Sequence, residues 1–149
     1  MSEEKLFLGM RSTCVAVRDV EKAAERLGRA FQAVPEATTQ NSDDEVEARF
    51  SSIDIGAEQL VLMEDLTGKG PIARFIESRG EGLFSILVQV SDVKKAMAHM
   101  QSEGFSFVEP EPRPLDEQDE NGNPIRVDVA WVHPKDSHGL LIELQQIHG

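Results

Sequence analysis

The stretch HPKDSHGLLIELQQ, residues 133 to 146, runs from a polar turn into an apolar strand that carries one carboxylate, Glu143. Strand alternation sends Ile142 and Leu144 to one face, beneath the helices, and turns Leu141, Glu143 and Gln145 to the other. A carboxylate so placed has two open readings. One is a solvated acid at a wet wall, hydrogen-bonded to a hydroxyl; the other is an acid–base group whose pKa is raised by apolar neighbours such as Val61, Leu87 and Cys14. A second acidic run, NSDDEVE at 41 to 47, reads as a solvated hairpin tip, as charge runs usually do. The histidines form no ligand set: His99 falls on a helical pattern, His133 and His138 bracket Pro-Lys-Asp, and His148 is near the C-terminus.

Composition narrows the classes. A chain of 149 residues suits one domain, taken here as 1–149, and Cys14 as the single cysteine excludes an internal disulfide. A net charge of −12 opposes nucleic-acid binding, because phosphates would be met against the overall field. No apolar run reaches the roughly 18 to 20 residues of a membrane span, and MSEEKLFLG is too short and acidic for a signal peptide, so a soluble cytoplasmic protein with no membrane partner is expected.

The elements that must position Glu143 come from an internal repeat. Residues 12 to 27, STCVAVRDVEKAAERL, superpose without gaps on residues 85 to 100, SILVQVSDVKKAMAHM, with seven of sixteen positions identical. Each copy is an apolar strand that switches at Asp19 or Asp92, a helix N-cap, to helical spacing, and Gly104 ends the second helix. Strand-like runs follow at 46 to 55 and 59 to 63, then at 126 to 132 and 139 to 145. The expected class is α+β, two tandem βαβββ modules over about 8–67 and 83–147, joined by a helix at about 70–80 with Pro71 in its first turn. The Pro- and acid-rich stretch 109 to 124 reads as an exposed loop.

The segments VAVRDVEKAA, GPIARFIESRGEG, SILVQVSDV and above all HPKDSHGLLIELQQ resemble the vicinal oxygen chelate superfamily of glyoxalases, bleomycin resistance proteins and dioxygenases, and most of all its methylmalonyl-CoA epimerases. The resemblance implies a curled mixed β-sheet cup with four divalent-metal ligand positions, which fall on Ser12, Val61, Ser85 and Glu143. Serine is a poor ligand and valine offers none; even Gln59, on the face of Val61, would restore only two. A divalent metal such as Co, Zn, Ni or Mg is therefore doubtful, and no cofactor is expected.

By the same resemblance the chain is an isomerase or lyase acting on an acyl-thioester or related carbon acid without the usual tightly bound metal. Its catalytic carboxylates would be Glu143 and, counting back from the Ile-Gly of DIGAEQ, Glu45. Ser12, Ser85, Val61, Leu87, Phe84 and Lys135 would bind substrate, with the two hydroxyls or a backbone amide holding an oxyanion. Arg74, Arg79 and Lys135 either meet the phosphates of a CoA thioester or are surface charges. A homodimer is expected from the same likeness. The alternative is a non-catalytic, resistance-type module of this fold, its ligand held by Phe50, Phe84, Leu87 and Trp131.

Overall fold

The structure is a computed structural model, and it describes residues 4–42, 47–119 and 121–148. The elements in chain order are β1 (Phe7–Ala16), α1 (Val20–Phe31), β2 (Thr39–Ser42), β3 (Glu47–Ile55), β4 (Glu58–Asp65), α2 (Pro71–Arg79), β5 (Gly82–Val90), α3 (Val93–Ser102), β6 (Arg113–Gln118), β7 (Pro124–Val132) and β8 (Leu141–His148). The order strand, helix, three strands thus occurs twice, with α2 between, which is the α+β arrangement of two βαβββ modules. Both strand-to-helix switches are made by the same device. The Asp19 carboxylate accepts the Lys22 amide at 3.1 Å and Asp92 accepts the Lys95 amide at 3.0 Å, each satisfying an amide that the first helical turn leaves without a partner.

The chain clusters into two compact units, one of Ser12–Ser85 and one of Ile86 onward together with the N-terminal segment up to Arg11. In the first, the strand order is β2-β3-β4-β1, with β1 parallel to β4 from Ser12 opposite Gln59 to Ala16 opposite Met63. Helix α1 buries Val20 and Ala24 against Val17, Ile53 and Leu62. Alternation therefore turns Ser12, Cys14, Gln59 and Val61 away from α1. A second cluster joins Ile72 of α2 to Ala16 and Ala48.

In the second unit the order is β5-β8-β7-β6. Helix α3 buries Val93, Ala96 and Met97 against Val90, Ala130 and Leu144. The N-terminal segment is fastened here: the Ser91 amide donates to the Leu6 carbonyl at 2.9 Å, Lys95 pairs with Glu4 at 3.1 Å, and Phe7 meets the His99 ring edge-on.

One expectation is corrected. The stretch 109–124 is not a loop throughout, since β6 pairs antiparallel with β7 from Arg113 opposite Val129 to Gln118 opposite Pro124. Pro114, which cannot donate to a ladder, is tolerated because β6 has a neighbour on one side only, and its exposed charges suit an edge. The β6–β7 turn is held by Asp119, which accepts the amides of Asn121 and Asn123, both at 2.9 Å. Strand β2 was likewise absent from the apolar pattern, being the polar run TQNS.

The entry to α2 depends on a remote cap. Gly70 at its N-cap has no side chain to offer, and Asp65 lies against it so closely that a Cβ added at Gly70 would run into Asp65 Oδ2. Asp65 also accepts the Thr67 amide at 2.7 Å and the Gly68 amide at 2.8 Å. Burial opposes its ionisation, but bonds from Thr67, Gly68 and Ala73 outweigh this and lower its pKa. Replacing Asp65 by Ala is expected to cost about 1 kcal/mol, the usual cost of a lost cap, and Asp65→Asn clearly less; thermal unfolding of the two variants checks this.

Candidate functional site

Glu143 is placed by register. In the β7–β8 ladder it stands directly opposite Trp131, and Val129 stands opposite Gln145. Because Ile142 and Leu144 pack into the α3 cluster, Glu143 and Trp131 project from the other face of the sheet, as alternation requires. The Trp131 ring N–H donates a hydrogen bond to the Glu143 carboxylate. Strand β6 adds Arg113 and Glu117 to this face, since Arg113 pairs with Val129 and Glu117 with Ile125. The Arg113 guanidinium lies over the Trp131 ring, 5.5 Å from its centroid.

The electrostatics follow from this arrangement. Burial raises the pKa of Glu143, the charge of Glu117 raises it further, and the Trp131 bond lowers it in part; the result is about 7. A group poised there is part proton donor and part base at neutral pH, the condition under which acid–base exchange with a substrate is most effective.

The remaining candidates are distributed over both units. Leu87 alternates with Val88 and Val90, which pack on α3, so it shares the sheet face of Glu143. In the unit of Ser12–Ser85, Ser12 pairs with Gln59 and Cys14 with Val61 along the β1–β4 ladder, and Ser12 and Ser85 are both buried. Phe84 packs edge-on against Phe75 at 5.4 Å, and Phe50 joins the same cluster under α2. Arg79 stacks on Phe75, while Arg74 lies on α2. Lys135 is exposed on a 3-10 turn, Pro134–Asp136, ahead of β8. Glu45 lies outside the described residues.

The positions that the resemblance gives to metal ligands are poor in donors. The four positions carry two hydroxyls, an alkyl group and one carboxylate, and no group of three His, Cys, Asp or Glu among the described residues could hold an ion. Three of the histidines have other partners: His148 contacts Asp128 at 2.8 Å, His99 the Phe7 ring, and His133 the Lys135 amide.

Three contributors to the Glu143 environment escape a reading from sequence. Arg113 and Glu117 fall in the stretch taken as a loop, where RPLDEQ carries no period-two pattern to mark a strand. Trp131 was named as a ligand contact, whereas its ring N–H is what holds the carboxylate.

Comparisons with known proteins give the family. The ethylmalonyl-CoA/methylmalonyl-CoA epimerase of Cereibacter sphaeroides is 28% identical over 140 residues, covering 93% of this chain and 97% of that one. The mitochondrial methylmalonyl-CoA epimerase of Homo sapiens is 26% identical over 141 residues, covering 92% of this chain and 73% of that one. The crystal structure of methylmalonyl-CoA epimerase from Mycobacterium tuberculosis superposes with a TM-score of 0.77 at 25% identity, covering 100% of this chain and 94% of that one. No helix among the described residues is long and apolar enough to cross a membrane. A family model matches residues 12–121, and the chain accordingly belongs to the glyoxalase/bleomycin resistance protein/dioxygenase superfamily, whose vicinal oxygen chelate fold it has.

Proposed function

We propose that the chain is an epimerase-like isomerase that moves a proton on the carbon next to an acyl thioester, with Glu143 as the acid–base group and without a tightly bound metal. The observation that carries this is the Glu143 carboxylate itself, partly buried, hydrogen-bonded by Trp131 and poised at about 7. Raising a carboxylate to that value strengthens it as a base toward a weak carbon acid while leaving a useful ionised fraction at neutral pH. The likeness to epimerases that act on methylmalonyl-CoA and ethylmalonyl-CoA supports the substrate class. Proton return needs a second donor. Glu117 already bears on Glu143 electrostatically, and Glu45 is the other candidate.

A binding module without chemistry is the second reading, favoured by Trp131 opposite Glu143 and by the apolar Leu87 on the same sheet face. Deuterium separates the two. In deuterated water, wild type is expected to exchange the α-proton of methylmalonyl-CoA, and Glu143→Gln to do so at least about a hundredfold more slowly, the usual worth of a general base. Equal exchange in both, or none in either, removes the isomerase reading. A chelator is expected to leave the melting temperature unchanged, because loss of a metal present at a hundred times its dissociation constant would cost about 2.7 kcal/mol.

The raised pKa also links stability to pH. The folded chain holds the Glu143 proton more tightly than the unfolded chain, whose carboxylate titrates near 4.5. Stability from this group is thus fully present below pH 4.5, falls as pH rises, and is lost above about 7, a difference of up to about 3 kcal/mol. Glu143→Gln should remove this decline, so that the variant melts higher than wild type at pH 8. Since the chain has one Trp and no Tyr, fluorescence reports Trp131 alone and should titrate with a midpoint near 7 in wild type but not in Glu143→Gln.

A further inference from the structure

We propose that Arg113 sets substrate specificity at this face by receiving a carboxylate attached to the same carbon as the thioester. It rests on the reading of Glu143 as the group that acts on that carbon, and it assigns a recognition residue to the site. Arg113 is brought to the Glu143 face by two ladders, pairing with Val129 on β7, two residues from Trp131, which in turn pairs with Glu143. One indole therefore touches both charges. Its N–H bonds the Glu143 carboxylate, and the Arg113 guanidinium lies over its ring at 5.5 Å from the centroid.

Charge balance makes this cation necessary for such a substrate. Among the described residues of β6, β7 and β8 that share this face, Arg113 is the one cation, and Glu143 and Glu117 are acids. A substrate carboxylate would be repelled there unless a positive group met it. Arg113 remains available. Its pair with Glu109, at 2.6 Å, uses Nη2 alone, and the two side chains are 46% and 38% exposed, which leaves the pair weak and the other N–H donors open to a ligand. A planar guanidinium matches a carboxylate with two parallel hydrogen bonds, and stacking on Trp131 holds it for that geometry. The phosphates of a CoA carrier stand many bonds from the reacting carbon, whereas Arg113 is one ring away from Glu143, so the anion assigned is the carboxylate.

Calorimetric titration of the full chain with methylmalonyl-CoA, propionyl-CoA and free CoA tests this directly. Wild type is expected to bind methylmalonyl-CoA at least about tenfold more tightly than propionyl-CoA, the scale of one charge-assisted pair. Arg113→Met, whose apolar stem still covers the ring, should lose that preference while binding propionyl-CoA within about twofold of wild type. Arg113→Lys, which keeps the charge without the fork, should recover part of the preference. Retained propionyl-CoA binding shows that each variant is folded. Equal weakening toward all three ligands would make Arg113 a phosphate contact and overturn the proposal. So would unchanged preference in Arg113→Met, or a wild type that does not discriminate or binds none of the three. Deuterium exchange run in parallel separates the two readings. Preference without exchange keeps Arg113 as a carboxylate receptor and sinks the isomerase, whereas exchange with the same KM in wild type and Arg113→Met sinks the Arg113 assignment and keeps the isomerase.

Discussion

Burial of the Glu143 carboxylate, reinforced by the charge of Glu117 and offset in part by the hydrogen bond from the Trp131 ring, is the constraint on which the proposed role of this chain depends. Burial alone would push a carboxylate toward permanent protonation, and full solvation would leave it an ordinary weak base. A single donor from the neighbouring strand offsets part of the desolvation and leaves the group between those limits. The donor is an indole, whose N–H cannot also accept, so the bond favours the ionised form of its partner. Register makes the contact: a shift of one residue between β7 and β8 would send Glu143 under α3, among Val90, Ala130 and Met97, where an ionised group would find no such donor.

The same ladders explain why the fold tolerates different side chains on the faces turned away from the helices. Leu144 and Ile142 are fixed by α3, and Val15 and Val17 by α1, whatever stands on the opposite faces. Serine at 12 and 85 and valine at 61 therefore leave the packing of both units intact. What they set is the chemistry offered on the faces turned away from the helices. Metal charge is compact and strong, whereas a guanidinium is planar and directional, and it selects ligands by shape as well as by charge.

Much of this was legible in the residues. The gapless repeat located both modules, Asp19 and Asp92 marked both helix starts, and period-two alternation put Glu143 on the face away from the helices. Pro71 and the flanking glycines bounded α2 closely. The failures share a cause. Strands β2 and β6 are polar, and the signal used for strands is burial of one face, which an edge strand shows weakly. Missing β6 meant missing Arg113 and Glu117, which reach the face of Glu143 through pairing with β7 rather than through local sequence.

Strand β6 carries Arg113 and Glu117 but is anchored by one ladder only, and Pro114 removes one amide from its donors. Among the strands of its unit it is the one that opens at least cost, so its amides should exchange with solvent well before those of β7 and β8. The Glu117 charge that raises the pKa of the carboxylate thus rides on the most easily detached element, while the carboxylate itself sits on a strand with a neighbour on each side. Fraying of β6 would lift the neighbouring acid from the carboxylate and the guanidinium from the indole together. Ligand-dependent protection of a single edge strand is the kinetic signature such an arrangement leaves.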